Sequence, residues 1–166
     1  MTGRLVSIFV APSAGAPVES VTSARALSGR GLEGDRYGTG VGSFNRWPGR
    51  GRDLSLIALE DLEAARDGFG VSVLEGEHRR NLVVEGVDLE ALLGVPFTIG
   101  GVALEGVRRC APCKYLVRVT GQDEIFQALV RRGGLRASIV SDGVLEVGDA
   151  VTWDPADVAK RARLPR

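Results

Sequence analysis

The feature that most limits what this chain can fold into is its punctuation. Short runs of Val, Ile and Leu recur along it, each closed by Gly, Pro, Asp or Asn, and 23 glycines are spread from end to end. Runs of that length between breakers suit the strands of a barrel or sandwich. Strands are expected at Leu5–Val10, Val18–Leu27, Leu54–Ala58, Asn81–Val84, Phe97–Ile99, Val102–Val107, Ala137–Val140 and Val144–Val151. Helical stretches are fewer. "LEDLEAARDGFG" spaces Leu59, Leu62 and Ala65 for a helix and stops at Gly68, and "DLEALLG" reads as a turn or two between an Asp88 cap and Gly94. "DEIFQALVRRGG" puts Ile125, Phe126, Leu129 and Val130 on one face, with Asp123 at its start and Gly133 beyond its end. The expected fold is mainly β, with a few peripheral helices.

At 166 residues, 44% apolar and 25% charged, the chain is long enough to bury a core without metal or disulfide staples. No repeat or low-complexity linker divides it, so residues 1–154 are expected to form one domain and 155–166 a short basic C-terminal tail. A formal net charge of +0 gives no general attraction to nucleic acid or to an acidic membrane. The opening "RLVSIFVAPSAGA" has a faint signal-peptide pattern, but its apolar run is short and alternates, and a first strand is the preferred reading. No segment reaches the roughly 18–20 apolar residues of a membrane helix. A cytoplasmic protein with reduced thiols is therefore expected. The cations are nineteen arginines against two lysines. Codon bias accounts for the bulk of that excess, yet it means that any anion site will be built from planar, bidentate guanidinium groups.

The cysteines carry the sharpest question. Both, Cys110 and Cys113, lie in "EGVRRCAPCKYLVRVTG". A structural zinc site needs about four N or S ligands, which two cysteines and the single His78 do not supply. A thioredoxin-type pair needs a parallel strand–helix–strand setting that this chain lacks. Two readings remain open. In one, Pro112 starts a helix, Cys113 sits in its first turn, and Arg108 and Arg109 add positive charge to favour a reactive thiolate. In the other, both cysteines are small buried hydrophobes.

Three further stretches contain chemistry-bearing residues. "EHRRNLVVEGVDLEALLG" opens on Arg79, Arg80 and Asn81; if these begin a strand, only one of the two arginines faces a given pocket. His78 by itself reads as a packed or surface histidine. From Gly29 to Arg52, eight glycines in 24 residues predict a long surface loop, with Asp35, Arg36 and Tyr37 offering acid, base and aromatic in succession. In "RRGGLRASIVSDGVLEVGD", a glycine pair precedes Arg136, which enters a strand.

Taken in order, "GLEGDRYG", "LSLIALEDLE", "RRNLVVEGVDLEALLGVPFTIGGVALEGVRRCAPC" and "RRGGLRASIVSDGVLEVGD" resemble the MOSC domain, the module named for the C-terminal part of molybdenum cofactor sulfurases, most nearly in its small stand-alone bacterial form. The resemblance runs from about Gly31 to Asp149. It implies a MOSC-type β-barrel and a pterin-type molybdenum cofactor (molybdopterin). The family's working cysteine lies in the "PC" element, here Cys113, as metal ligand or persulfide carrier, with Cys110 as a neighbouring or resolving thiol. Arg79, Arg80, Asn81 and Arg136 become candidates for holding the cofactor and its phosphate; Asp35 and Tyr37 are candidates for delivering protons on residue type alone. Two functions follow from the resemblance. One is reduction of N-hydroxylated small molecules with electrons from a separate electron-transfer protein. The other is carriage of sulfur or of the cofactor to an apo-molybdoenzyme. Pyridoxal phosphate chemistry is not expected.

Overall fold

The structure is a computed structural model that describes residues 2–36, 38 and 50–164. The described residues include the strands β1 (Thr2–Val10), β2 (Glu19–Val21), β3 (Ser23–Leu27), β4 (Gly31–Leu32), β5 (Leu54–Ala58), β6 (Leu82–Glu85), β7 (Pro96–Ile99), β8 (Val102–Arg109), β9 (Leu135–Ile139), β10 (Gly143–Glu146) and β11 (Ala150–Trp153). The helices are α1 (Leu59–Phe69), α2 (Lys114–Thr120), α3 (Ile125–Leu129) and α4 (Pro155–Ala162).

The main sheet runs β11-β7-β8-β9-β5-β6-β1-β2, and an added β11–β1 pairing closes it into a barrel with β2 attached outside the ring. Closure removes the free strand edges that invite aggregation. Neighbours are antiparallel except β5 and β6, which pair in parallel with Leu56 opposite Leu82. A parallel pair needs a crossover, and α1 lies within the one that links these strands. A smaller sheet, β10-β3-β4, packs at the side.

Two apolar layers result. Leu5, Leu54, Leu56, Leu82, Val84, Leu104, Leu135 and Ala137 belong to the cluster that fills the barrel. On the outer side, Phe9, Ile57 and Val83 meet Leu62, Ala65, Leu116, Ile125, Ala128 and Leu129 from α1, α2 and α3. β5 is buried along its whole length because the barrel interior takes one face and the helices the other, so it reads as a continuous apolar run rather than an alternating one. Ser55 is the polar break in that run, and it marks where the outer layer turns from apolar to polar.

Local chemistry ends the elements. Gly70, left-handed at φ 66°, caps α1 by donating to the Arg66 carbonyl. The Asp154 carboxylate accepts from Ala156 N at 2.8 Å and Pro155 opens α4, whose Val158 packs on the barrel cluster.

Several expectations are corrected. Val18–Leu27 is two strands, because the chain leaves the barrel sheet at Val21 and joins the small sheet at Ser23, with Thr22 accepting from Val147 N between them. Val144–Val151 is likewise divided by the turn through Gly148. "DLEALLG" forms turns and no helix. Asp88 accepts from Glu90 N and Ala91 N, but Leu89 and Leu92 then dive into the barrel. α3 stops at Leu129, and Ala128, not Val130, shares its buried face, leaving Val130 46% exposed. Gly29–Arg52 is not a continuous surface loop: Gly31–Leu32 pairs with β3 and Leu32 is fully buried.

Candidate functional site

At Ser55 the outer layer turns polar. Ser55 N and Oγ both donate to Asn81 Oδ1, at 3.1 and 3.3 Å, while Asn81 Nδ2 donates to the Phe9 carbonyl at 3.3 Å. Asn81 thus ties three strands together and is 1% exposed. Ser55 is also the register partner of Arg136, and Arg136 stands opposite Arg108. Asn81, just before β6, therefore lies in one row with Ser55, Arg136 and Arg108 of β5, β9 and β8.

Immediately before Asn81 the chain runs through a turn. Arg79 and Arg80 lie outside β6, and Arg79 is left-handed at φ 59°, which suspends the two-residue alternation of a strand. This corrects the expectation that one arginine would face a pocket and the other solvent, since both are buried. Arg79 Nη1 donates to the Ala16 carbonyl at 2.7 Å. Arg80 donates from Nε to the Gly133 carbonyl at 2.8 Å, from Nη1 to the His78 carbonyl at 2.9 Å, and from Nη2 to the Cys110 carbonyl at 3.2 Å. Its N–H donates to His78 Nδ1 at 2.9 Å, which leaves the proton of the neutral imidazole on Nε2.

His78 has no exposed surface and packs edge-on against Phe9, ring centroids 5.3 Å apart. Burial, and then the charge of Arg80, push its pKa down to about 3. It is a neutral histidine at pH 7.

Asp35 is completely buried. It accepts from Ala11 N at 2.8 Å and pairs with the buried Arg36 at 3.3 Å, while Arg36 N donates to the Ala11 carbonyl. Arg36 Nη2 reaches the Arg79 carbonyl at 3.4 Å. The segment Ala11–Ala16 is the common neighbour: it meets Asp35 and Arg36 at one end and Arg79 at the other. A side chain at Gly15 would come within 3.1 Å of the Tyr115 hydroxyl of α2. Tyr37 lies outside the described residues.

The cysteines separate sharply: Cys110 is 2% exposed and Cys113 is exposed. Cys113 is the residue before α2, extended at φ −135° and ψ 164°, which corrects its expected place in the first helical turn after Pro112. Cys110 is held by its backbone, its N–H donating to the Gly134 carbonyl at 2.8 Å and its carbonyl accepting from Arg80.

The structure thus gathers Asp35, Arg36 and Arg79 around the Ala11–Ala16 segment, and Asn81 and Arg136 around Ser55. Arg80 is joined to the cysteine-bearing segment. Arg36 and Ser55 are participants beyond the expected set. The signal for Arg36 was its place beside Asp35, and for Ser55 its place as the polar residue inside "LSLIA". A groove of about 690 Å³ is lined by Cys110, Ala111, Gly133 and Gly134 together with Glu60, Asp61, Arg109 and Arg132. Cys110 and Arg109 line it, whereas Cys113, Asp35, Arg79, Arg80, Asn81 and Arg136 do not. There the Asp61 carboxyl is raised, chiefly by burial and against the charge of Arg132. No group of three or more His, Cys, Asp or Glu side chains suited to a metal ion occurs among the described residues, and no described helix is long and apolar enough to cross a membrane.

The MOSC domain family model matches residues 45–152. Among solved structures, YuaD from Bacillus subtilis is 20% identical over 91% of this chain and 94% of its own, with a TM-score of 0.73. YiiM from Geobacillus stearothermophilus is 14% identical over 92% of this chain and 75% of its own, at a TM-score of 0.68. YiiM from Escherichia coli is 16% identical over 98% and 79%, at 0.65. At these identities the likeness is one of fold. No curated protein matches the sequence.

Proposed function

This chain belongs to the MOSC domain family, and from that premise we propose that it binds a pterin-type molybdenum cofactor and reduces N-hydroxylated small molecules with electrons from a separate redox protein. Family membership supports an association with the molybdenum cofactor in general. The narrower reading is carried by one observation, the contrast between a buried Cys110 and an exposed Cys113 on a segment held to the buried Arg80.

The donor set fits such a cofactor. The described side chains offer no cluster that could hold a bare metal ion, so a metal that brings its own organic ligands and takes one soft sulfur from the protein suits this chain. Cys113 would supply that sulfur. Arg79 and Arg136 would hold the phosphate by charge-assisted hydrogen bonds. Asn81 is given to bracing β1 and β5, and Arg80 to backbone carbonyls. When bound, the cofactor supplies two-electron oxidation–reduction chemistry at its metal. Cleavage of an N–O bond takes two electrons and two protons and releases water. Of the two expected proton donors, Asp35 acts as a brace, being wholly buried and paired with Arg36. Tyr37 is retained for proton delivery on residue type.

The test begins with protein made in a cofactor-competent host and assayed for molybdenum and pterin. Cys113→Ser should lose most of the metal and Cys110→Ser much less; equal losses would argue against a single working thiol. Loaded protein with an artificial reductant should then convert an amidoxime or a hydroxylamino-purine. The exposure of Cys113 also suits a carrier. A loaded protein that never turns over but restores an apo-molybdoenzyme would establish that role instead.

A further inference from the structure

We infer that Arg80 is a positioning residue for Cys113, acting through the backbone of Cys110 and Gly133. This rests on the reading of Cys113 as the working thiol. All three guanidinium nitrogens of Arg80 donate to carbonyl oxygens, those of His78, Cys110 and Gly133. With all three nitrogens so engaged and 7% of its surface exposed, Arg80 serves as a clamp on these carbonyls.

The two clamped segments are also in direct backbone contact. A Cβ on Gly133 would overlap the Cys110 carbonyl, and one on Gly134 would overlap the Leu56 carbonyl. Only glycines let these backbones approach so closely. The Cys110 N–H closes the arrangement on the Gly134 carbonyl. Both backbone polar groups of Cys110 are thereby fixed, one by Gly134 and one by Arg80.

From Cys110 to Cys113 the link is Ala111 and Pro112, and the proline ring locks its own φ. Orientation set at Cys110 therefore passes to Cys113 over a short, stiff connection. A lysine could not replace the clamp, because its ammonium is a single point and the three carbonyls are met by three separate nitrogens of a planar fork.

The experiment follows alkylation of each cysteine in the full-length protein with iodoacetamide, resolved by peptide mass spectrometry across a range of pH. In the wild-type protein Cys113 is labelled and Cys110 is protected. Arg80→Met should label Cys110 at least about tenfold faster by local opening, and should change the alkylation rate of Cys113 at least about threefold. Arg80→Lys should behave like Arg80→Met. Gly133→Ala, which displaces the Cys110 carbonyl without altering charge, should do the same and serves if the Arg80 variants do not fold. Val151→Ala, which loosens the barrel cluster at β11, a strand paired with β1 and β7, controls for lost stability and should keep Cys110 protected. The inference is overturned if Cys110 stays protected or Cys113 keeps its wild-type reactivity in folded Arg80→Met, if Lys restores wild-type behaviour, or if Val151→Ala exposes Cys110 equally. Cofactor retention is not read here. A negative result leaves the cofactor assignment standing, and a protein that binds no molybdenum still reports on Arg80.

Discussion

Replacing His78 with Gln should remove most of the acid sensitivity of folding between pH 7.5 and 5. His78 is the only histidine of the chain, has no exposed surface, and has its pKa pushed down to about 3 by burial and by Arg80. An unfolded histidine titrates near 6.5. The folded value lies below the unfolded one, so its contribution to stability is intact above pH 6.5 and is lost as the pH falls and the unfolded chain takes up a proton that the folded chain refuses. With these values the loss from pH 7.5 to 5 is about 2 kcal/mol, and a domain of this size should lose roughly 4–8 °C in Tm. The carboxyls of buried Asp53 and half-buried Asp61 work in the opposite sense. Their pKa values are raised, chiefly by burial, so the folded state gains from their protonation as pH falls towards the carboxylate range. They are common to both proteins and cancel in the difference. The assay is urea unfolding of wild type and His78→Gln at half-unit steps from pH 5 to 7.5. The variant is expected to be less stable at pH 7.5, because Arg80 N loses its imidazole acceptor, but nearly flat with pH. Parallel pH profiles would refute the assignment of a buried neutral imidazole.

Asp35→Ala should cost about 3–5 kcal/mol in urea unfolding, the scale of breaking a buried ion pair, because it removes the carboxylate beside the buried Arg36 and frees the Ala11 N–H. Arg79→Ala should weaken cofactor retention by about 1.5–3 kcal/mol, the scale of a charge-assisted hydrogen bond, read as pterin content against protein. A normal cofactor content in folded Arg79→Ala would remove it from the phosphate site.

Much of this protein is legible along the chain. Apolar runs closed by breakers locate strands because a pleated segment needs its alternate side chains buried and its ends released, both local requirements. The ordered motifs point to the family, because residue identity and order are themselves sequence. The folding of Val18–Leu27 into two strands was not legible, since the switch at Thr22 depends on Val147, far along the chain. The roles of the arginines were not legible either. Alternation predicts opposite faces for Arg79 and Arg80, and a left-handed Arg79 cancels it.

What tertiary structure decided is which polar groups are spent on the scaffold. Arg80 reaches carbonyls 30 and 53 residues away, and Asn81 reaches one 72 residues away. A buried donor must find an acceptor or forfeit its hydration, and the nearest acceptors in space come from strands that meet only when the barrel closes. Asp35 is a brace for the same reason, its partner Ala11 lying on the segment that leaves β1. The sequence by itself determined that this chain is a β-rich barrel with a thiol to offer; barrel closure decided which thiol is offered, burying Cys110 under its own hydrogen bonds and leaving Cys113 at the surface.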